Sequence, residues 1–199
     1  TTALVKTAVD AQKKGVLPVF VITEQKWDFP HAKLMGLDIE ETVDEETGEI
    51  EYDGFFLFNN EFQYIEQITD YINELIDAQK KGELEYDLLF LWDSVGSVPC
   101  KMTFDGKGGK QHNASTLADK IGMGLNQRIS GSRRVDSEFT NTLVIVNQPW
   151  VELPDNPFSQ PKIKAKGGES IWLNSTLVFR FGNQKNAGTN PIAAVKDKR

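Results

Sequence analysis

One short stretch constrains this chain more than any other, the unbroken apolar run that begins at Leu88 and ends in Asp93 and Ser94. A run of this length without polar alternation is typical of a strand buried on both faces, as in a parallel sheet covered by helices. A carboxylate that ends such a strand lies at the carboxyl edge of the sheet, where open α/β sheets bind ligands. Two interpretations of Asp93 remain open, a metal ligand and a residue that caps the next helix.

Two other runs repeat this pattern. The run at 16–24 ends in Glu24, and the run at 141–148 ends in Gln148, whose amide can either sense a phosphate or satisfy nearby backbone groups. Segments with helical spacing separate the runs, and this alternation predicts right-handed crossovers and a parallel sheet. We therefore predict an α/β domain in which Glu24 and Asp93 share one edge. There, one carboxylate can hold a metal and the other can polarise a water.

The remaining elements are predicted from apolar spacing and turn residues. Further helices are predicted at 1–12, at 28–36 with Asp28 near its cap, at 61–79, and at 115–129 with Leu117, Ile121, Met123 and Leu125 facing inward. Loops are predicted at 38–53, as an acidic excursion or hairpin, and at 95–114 and 149–166, which are rich in Gly, Pro and Lys. Shorter strands are predicted at 54–58, 171–181 and 188–196.

Composition narrows the class of protein. A chain of 199 residues with 39% hydrophobic and 26% charged residues suits one globular domain. The single Cys100 excludes an internal disulfide framework, and no apolar stretch of about 18 residues or signal peptide is present, so we expect a cytoplasmic protein without a membrane partner. The chain starts directly at the first helical pattern, and we therefore expect residues 1–199 to form one domain that is truncated at both ends.

The charge is unevenly distributed along the chain. The net charge is -7 overall, but residues 1–93 carry 7 basic and 21 acidic residues, and residues 94–199 carry 15 and 8. The net charge of residues 1–93 is therefore -14, and that of residues 94–199 is +7. This asymmetry indicates a basic surface on the second half, although acidic loops clustered early in the chain would give the same counts.

Taken in order, these motifs resemble the core ATPase domain of the bacterial RecA recombinase family, in a divergent or phage-borne form. The resemblance covers almost the whole chain and rests on Thr1-Thr2, which is similar to the end of the Gly-Lys-Thr-Thr phosphate loop, on the strands that end at Glu24, Ser94 and Gln148, on Gly167-Gly168, and on 194–198. It implies a RecA-like P-loop NTPase fold with a twisted, mainly parallel sheet flanked by helices, and antiparallel strands after Gly168.

The resemblance implies an ATP site that contains Mg²⁺. By position, Thr1 and Asp93 would hold the metal, Glu24 would activate the attacking water, and Gln148 would detect the γ-phosphate. The other residues implied to contact nucleotide are Thr2 at the helix N-terminus, Asp28 and His31 near adenine, and Lys196 and Lys198, which would reach across a protomer interface. His31 stands where the family usually has an aromatic residue, so it is either a stacking residue or a surface residue of its helix.

The resemblance also implies two DNA-binding loops, near 99–112 and 149–168. Their Lys side chains suit phosphate contacts, and Trp150 would either stack on bases or pack the loop on the core. The implied DNA-binding residues are Lys101, Lys107, Lys110, Arg128, Trp150, Lys162, Lys164, Lys166, Gly167 and Gly168. The first loop differs almost entirely from that of the family, so its role follows from position alone.

The activity implied is that of a DNA-dependent ATPase that forms a homo-oligomeric filament on single-stranded DNA and exchanges strands with double-stranded DNA in recombination and repair. Several departures bear on this expectation. The family's Gly-x-x-x-x-Gly-Lys would precede Thr1, the polymerising N-terminal helix and the C-terminal domain are absent from the sequence, and Trp172 replaces a residue that is usually basic. The alternatives are a hexameric helicase of the same fold and a regulatory ATP-binding paralogue that does not hydrolyse ATP.

Overall fold

The computed structural model describes residues 1–132, 137–152, 162–166, 168–181 and 194–197. The helices are α1 Thr2–Gln12, α2 Phe29–Leu34, α3 Ile65–Lys80, α4 Lys101–Phe104, α5 Lys110–Leu117, α6 Asn126–Gly131 and α7 Gly168–Asn174, and a π-helical segment, Ala118–Leu125, joins α5 to α6. The strands are β1 Leu17–Ile22, β2 Glu40–Val43, β3 Ile50–Asp53, β4 Leu57–Asn59, β5 Leu88–Val95, β6 Thr142–Asn147, β7 Pro149–Glu152, β8 Lys162–Ala165, β9 Leu177–Arg180 and β10 Ala194–Asp197.

A parallel sheet of four strands forms the centre of the fold, in the order β4-β1-β5-β6. β1 pairs with β5 over its whole length, from Leu17 opposite Leu88 to Ile22 opposite Asp93. All the residues of both strands are buried. The predictions of an α/β class and a mainly parallel sheet flanked by helices are therefore confirmed, and β1, β5 and β6 end at the same edge.

Helices cover both faces of the sheet because the side chains of β1 and β5 alternate between two apolar clusters. One face packs against α3, the π-helical segment and its flanking helices, with Val19, Phe90 and Trp92 at its centre. The other face packs against α1 and α2, with Phe20 and Leu91 at its centre. Each of these side chains, when fully buried, contributes roughly 1.5–3 kcal/mol of hydrophobic free energy, so the middle strands hold the layers together.

Several local predictions are confirmed. Asp28 caps α2 by accepting a hydrogen bond from the His31 backbone N–H at 2.9 Å. The acidic excursion is a hairpin in which β2 and β3 pair antiparallel, and β9 and β10 also pair antiparallel after Gly168. Among the residues that the structure describes, no helix has the length and apolarity needed to cross a bilayer.

Three segments differ from the predictions. The predicted strand at 171–181 starts within α7, because Ile171 turns into the core against the π-helical segment, and only Leu177–Arg180 is extended. The predicted loops contain regular structure, since α4 and α5 occupy part of 95–114 and the antiparallel pair β7–β8 occupies part of 149–166. Met123, predicted to face inward, is 60% exposed.

The sequence predicts a single α-helix through this region, whereas the structure has a π-helical segment at Ala118–Leu125. Helical geometry accounts for the exposure of Met123, because a residue two positions from Ile121 is rotated by about 200° around an α-helix and lies on the opposite face. Leu117, Ile121 and Leu125 remain buried as predicted. A Cβ atom at Gly122 would overlap the Ser170 hydroxyl of α7, so glycine lets the two segments approach closely.

A pair of buried amides joins the amino-terminal ends of β5 and β6 to the end of α3. The Asn141 amide donates to Gln79 Oε1 at 2.6 Å, and Gln79 donates back to Asn141 Oδ1 at 3.0 Å. Asn141 Oδ1 also accepts the Leu88 backbone N–H at 3.2 Å. Both side chains are buried, at 1% and 4% exposure, so each lost bond leaves a polar group without water.

Replacing Asn141 by alanine is therefore expected to lower the free energy of unfolding by about 2–3 kcal/mol, because Gln79 Oε1 and the Leu88 N–H lose their partner. Urea unfolding followed by circular dichroism measures this loss. The matched control is Asn60→Ala, at an exposed position, which is expected to change stability by less than about 0.5 kcal/mol. Equal losses in the two variants would contradict the role assigned to the amide pair.

Candidate functional site

The candidate site lies where β1, β5 and β6 end together. Asp93 belongs to the last part of β5 and is 6% exposed, while Glu24 and Gln148 follow β1 and β6. The N-terminus of α1 reaches the same edge, because α1 packs on this sheet through Leu4, Val5 and their neighbours. The structure thus brings together residues from four separate segments of the chain.

Thr1 and Asp93 form one half of the site. The Thr1 hydroxyl donates to Asp93 Oδ2 at 2.7 Å, and the Thr1 backbone nitrogen lies 3.2 Å from the same oxygen. Mg²⁺ is usually bound by one or two protein oxygens, with phosphate oxygens and waters completing its octahedron. This adjacent hydroxyl and carboxylate fit such a partial site. Among the described residues, no group of three or more His, Cys, Asp or Glu side chains is placed to hold a metal ion.

Glu24 and Gln148 form the other half. The Gln148 amide donates to Glu24 Oε1 at 3.1 Å, and the Ser94 hydroxyl donates to the same oxygen at 2.5 Å. These bonds connect the ends of β1, β5 and β6, and the bond between Gln148 and Glu24 joins residues that are 124 positions apart in the chain. A carboxylate fixed in this way, beside a second carboxylate, can accept a proton from a nearby water.

A small pocket opens between the two halves. Its lining residues are Thr1, Ile22, Glu24, Lys26, Trp27 and Asp93. Trp27 packs against Phe20 with ring centroids 4.7 Å apart and against Phe58 at 5.4 Å, so the loop after β1 is anchored to the core. A larger cavity of about 290 Å³ lies between α3 and the π-helical segment, lined by Thr69, Asp119 and Met123 among others, and does not include the strand-end residues.

Some predicted nucleotide contacts have other partners or positions. Asp28 is the cap of α2, as described above, and His31 lies exposed on that helix. Thr2 begins α1 and Lys196 lies within β10. Lys198 lies outside the described residues. The roles assigned to these residues by the resemblance stay predictions.

The predicted DNA-binding residues are distributed over several elements. Lys107 and Lys164 are exposed, Lys110 begins α5, Trp150 and Lys162 lie in β7 and β8, and Gly168 begins α7, whereas Gly167 lies outside the described residues. Lys101 forms an ion pair with Asp105 at 3.3 Å and lies over the Tyr64 ring. Lys166 reaches the Gly96 carbonyl with its ammonium group at 3.4 Å.

Arg128 has an intramolecular partner. Its guanidinium forms an ion pair with Asp77 of α3 and donates to Asn73 Oδ1 at 2.8 Å. The hydrogen bond from Arg128 holds the pKa of Asp77 below its usual value, with nearby Lys80 and Lys81 acting in the same direction. The structure therefore gives Arg128 a role in joining α6 to α3, which the sequence did not indicate.

Sequence reasoning also assigned no role to the hydroxyl groups around Glu24. Thr23 Oγ1 donates to the carbonyl oxygens of Asp93 and Ser94 at 3.2 and 3.0 Å, and it also accepts the Ser94 N–H at 3.0 Å. In the sequence, these hydrogen bonds are indicated only by Ser94 and Ser97, which come at the end of an apolar run. Serines in that position are common in ordinary turns.

Two comparisons with known proteins returned no match. No protein-family model matches this chain, and no curated protein is significantly similar to it in sequence.

Proposed function

We propose that this chain is the ATPase core of a RecA-type DNA recombinase, which hydrolyses ATP as a filament on single-stranded DNA and pairs that strand with homologous double-stranded DNA. The observation that supports this proposal is the convergence of Thr1, Glu24, Asp93 and Gln148 at one sheet edge. Each came from a different motif of the sequence resemblance, and hydrogen bonds join Thr1 to Asp93 and Gln148 to Glu24 at that edge.

In this proposal, Thr1 and Asp93 hold Mg²⁺, which supplies neutralisation of phosphate charge when it is bound. The N-terminus of α1, an 11-residue helix, directs its free N–H groups at the same phosphates. Glu24 takes a proton from water as the water oxygen bonds to the γ-phosphorus. The bond from that phosphorus to the β–γ bridging oxygen breaks, and ADP leaves with the electron pair.

Gln148 connects this chemistry to the proposed DNA surface. It accompanies Glu24 at the end of β6 and is followed at once by β7, whose partner β8 carries Lys162 and Lys164. A change in the Gln148 hydrogen bond would therefore act on the first residue of the hairpin. The excess of basic residues in 94–199 is compatible with binding of a phosphate backbone.

The proposal is tested by measuring the rate of ATP hydrolysis with and without single-stranded DNA. The protein used should include the phosphate-binding loop that the resemblance implies before Thr1. We expect DNA to stimulate the rate by about tenfold or more, which corresponds to about 1.4 kcal/mol of barrier height. Raising the salt concentration should weaken DNA binding steeply, because Lys side chains that bind phosphate release counterions.

The other outcomes separate the alternatives. ATP binding without hydrolysis, with or without DNA, would contradict the proposal and favour a regulatory ATP-binding module. Stimulated hydrolysis with duplex unwinding but no strand exchange would favour a helicase of the same fold. Strand exchange between a single strand and a homologous duplex, dependent on ATP, is the result that we expect.

A further inference from the structure

The two hydrogen bonds on Glu24 fall on the same oxygen. Ser94 and Gln148 both donate to Oε1, and no described residue donates to Oε2. A carboxylate with one oxygen occupied by donors is fixed in orientation, and its second oxygen keeps its lone pairs for another proton. Oε2 is therefore the oxygen of Glu24 that can accept a proton from water.

The two donors differ in how firmly they are held. Gln148 is exposed and immediately precedes the β7–β8 hairpin, so its position depends on that hairpin. Ser94 is 1% exposed and belongs to the central strand β5. Thr23 bonds its backbone N–H and carbonyl, and Ser97 donates to the same carbonyl at 2.6 Å.

We propose that Ser94 is a positioning residue that holds Glu24 Oε1 during hydrolysis, so that Oε2 is presented to the attacking water. This inference rests on the proposed function. If the Gln148 side chain swings away to reach the γ-phosphate, its amide moves out of hydrogen-bond distance of Glu24 Oε1, 3.1 Å away in this structure. Ser94 is then the remaining donor to Glu24 among the described residues, and it keeps the carboxylate in place.

The test compares Ser94→Ala with the unmodified protein in steady-state ATP hydrolysis with saturating single-stranded DNA. We expect kcat to fall by about 10- to 100-fold, because a carboxylate that rotates away from its productive orientation loses much of its advantage as a base. The KM for ATP and the affinity for a fluorescent ATP analogue should change by less than about twofold, since Ser94 acts through Glu24 and not on the nucleotide.

Conservative and control variants complete the design. Ser94→Thr keeps the hydroxyl and is expected to restore kcat to within about threefold of the unmodified protein. Ser130→Ala removes a similar hydroxyl from the exposed face of α6 and should leave kcat unchanged. Thermal unfolding of each variant identifies any loss that comes from misfolding, and the Ser94→Ala comparison stands on its own if the threonine variant unfolds.

The result separates this inference from the function on which it rests. Hydrolysis that is lost in Glu24→Gln but unchanged in Ser94→Ala overturns the positioning role alone. Equal losses of kcat and nucleotide affinity in Ser94→Ala also overturn it, since they indicate general damage to the site. A protein that binds ATP but never hydrolyses it overturns the proposed function, and the role of Ser94 with it.

Discussion

Replacing Glu24 by glutamine is expected to lower kcat for ATP hydrolysis by about 10²- to 10⁴-fold, the usual contribution of a general base. Glutamine keeps a carbonyl oxygen that can accept the hydrogen bonds from Ser94 and Gln148 at 2.5 and 3.1 Å, so the shape of the site is preserved. What is lost is the second, basic oxygen, which is the one proposed to take the proton from water. Single-turnover hydrolysis, measured with an independent assay of nucleotide binding, checks this expectation.

The effect should be confined to the chemical step. We expect nucleotide affinity to change by less than about twofold, because the residues proposed to hold the metal beside the phosphates are Thr1 and Asp93. The matched control is Glu83→Gln, which makes the same substitution at an exposed position after α3. If Glu24→Gln hydrolyses ATP as fast as this control, Glu24 is not the base and the catalytic assignment fails.

Replacing Phe90 by alanine is expected to lower the free energy of unfolding by about 3–5 kcal/mol, the usual cost of removing a buried aromatic side chain. Phe90 is 0% exposed and lies in the middle of β5, between β1 and β6. Its loss leaves a cavity against the apolar cluster that α3 covers, and the rigid sheet limits how far the surroundings can collapse.

Urea unfolding measures this loss as a lower midpoint with a nearly unchanged slope. Phe104→Ala serves as the control, since Phe104 is 51% exposed at the end of α4, and we expect it to cost less than about 1 kcal/mol. A loss in Phe90→Ala as small as that of the control would show that β5 is not the centre of the core. Since domains of this size are stable by only about 5–15 kcal/mol, the expected loss is a large part of the total.

The two predictions address different properties of neighbouring residues. Phe90 and Asp93 lie three positions apart on β5, yet the first supports the core and the second faces the site. A buried strand of a parallel sheet has core residues in its middle and ends at the edge of the sheet. Polar side chains at that end can therefore contact a ligand or water. Stability and chemistry are therefore expected to separate in mutants of this strand, with changes near its middle affecting unfolding and changes at its end affecting catalysis.

Much of the sheet and of the candidate site is predictable from the chain itself. The runs that form β1 and β5 are buried along their whole length, as a continuous apolar run predicts. The run that forms β6 is predicted to be buried in the same way, but β6 is half-buried, because it lies at the edge of the sheet. The parallel arrangement of the three strands follows from the helical segments between them, and it forces the residues that follow the strands to one edge. For this reason the pattern of strands and helices alone groups Glu24, Asp93 and Gln148 at one place in the fold.

Other features depend on contacts that local sequence does not encode. Ile171 lies in a segment that is predicted to be a strand, but it belongs to α7 and packs into the core cluster that includes the π-helical segment. Arg128 is predicted from the resemblance to face DNA, but its partner Asp77 lies 51 residues away in the chain. The hydrogen bond from Ser94 to Glu24 joins residues that are 70 positions apart in the chain. The Ser94 hydroxyl gives no specific signal in the sequence, because many hydroxyl residues follow apolar runs.

The sequence by itself therefore determined the class of fold, the middle strands of the sheet and the edge at which carboxylates and an amide meet, because hydrophobic burial and strand direction act through local patterns. Only the tertiary structure decided which oxygen of Glu24 is held, which cation is paired within the domain, and where helix replaces strand after Gly168. These outcomes depend on side chains that are distant in the chain and adjacent in space, and hydrogen bonds and ion pairs form only when folding has set their distances.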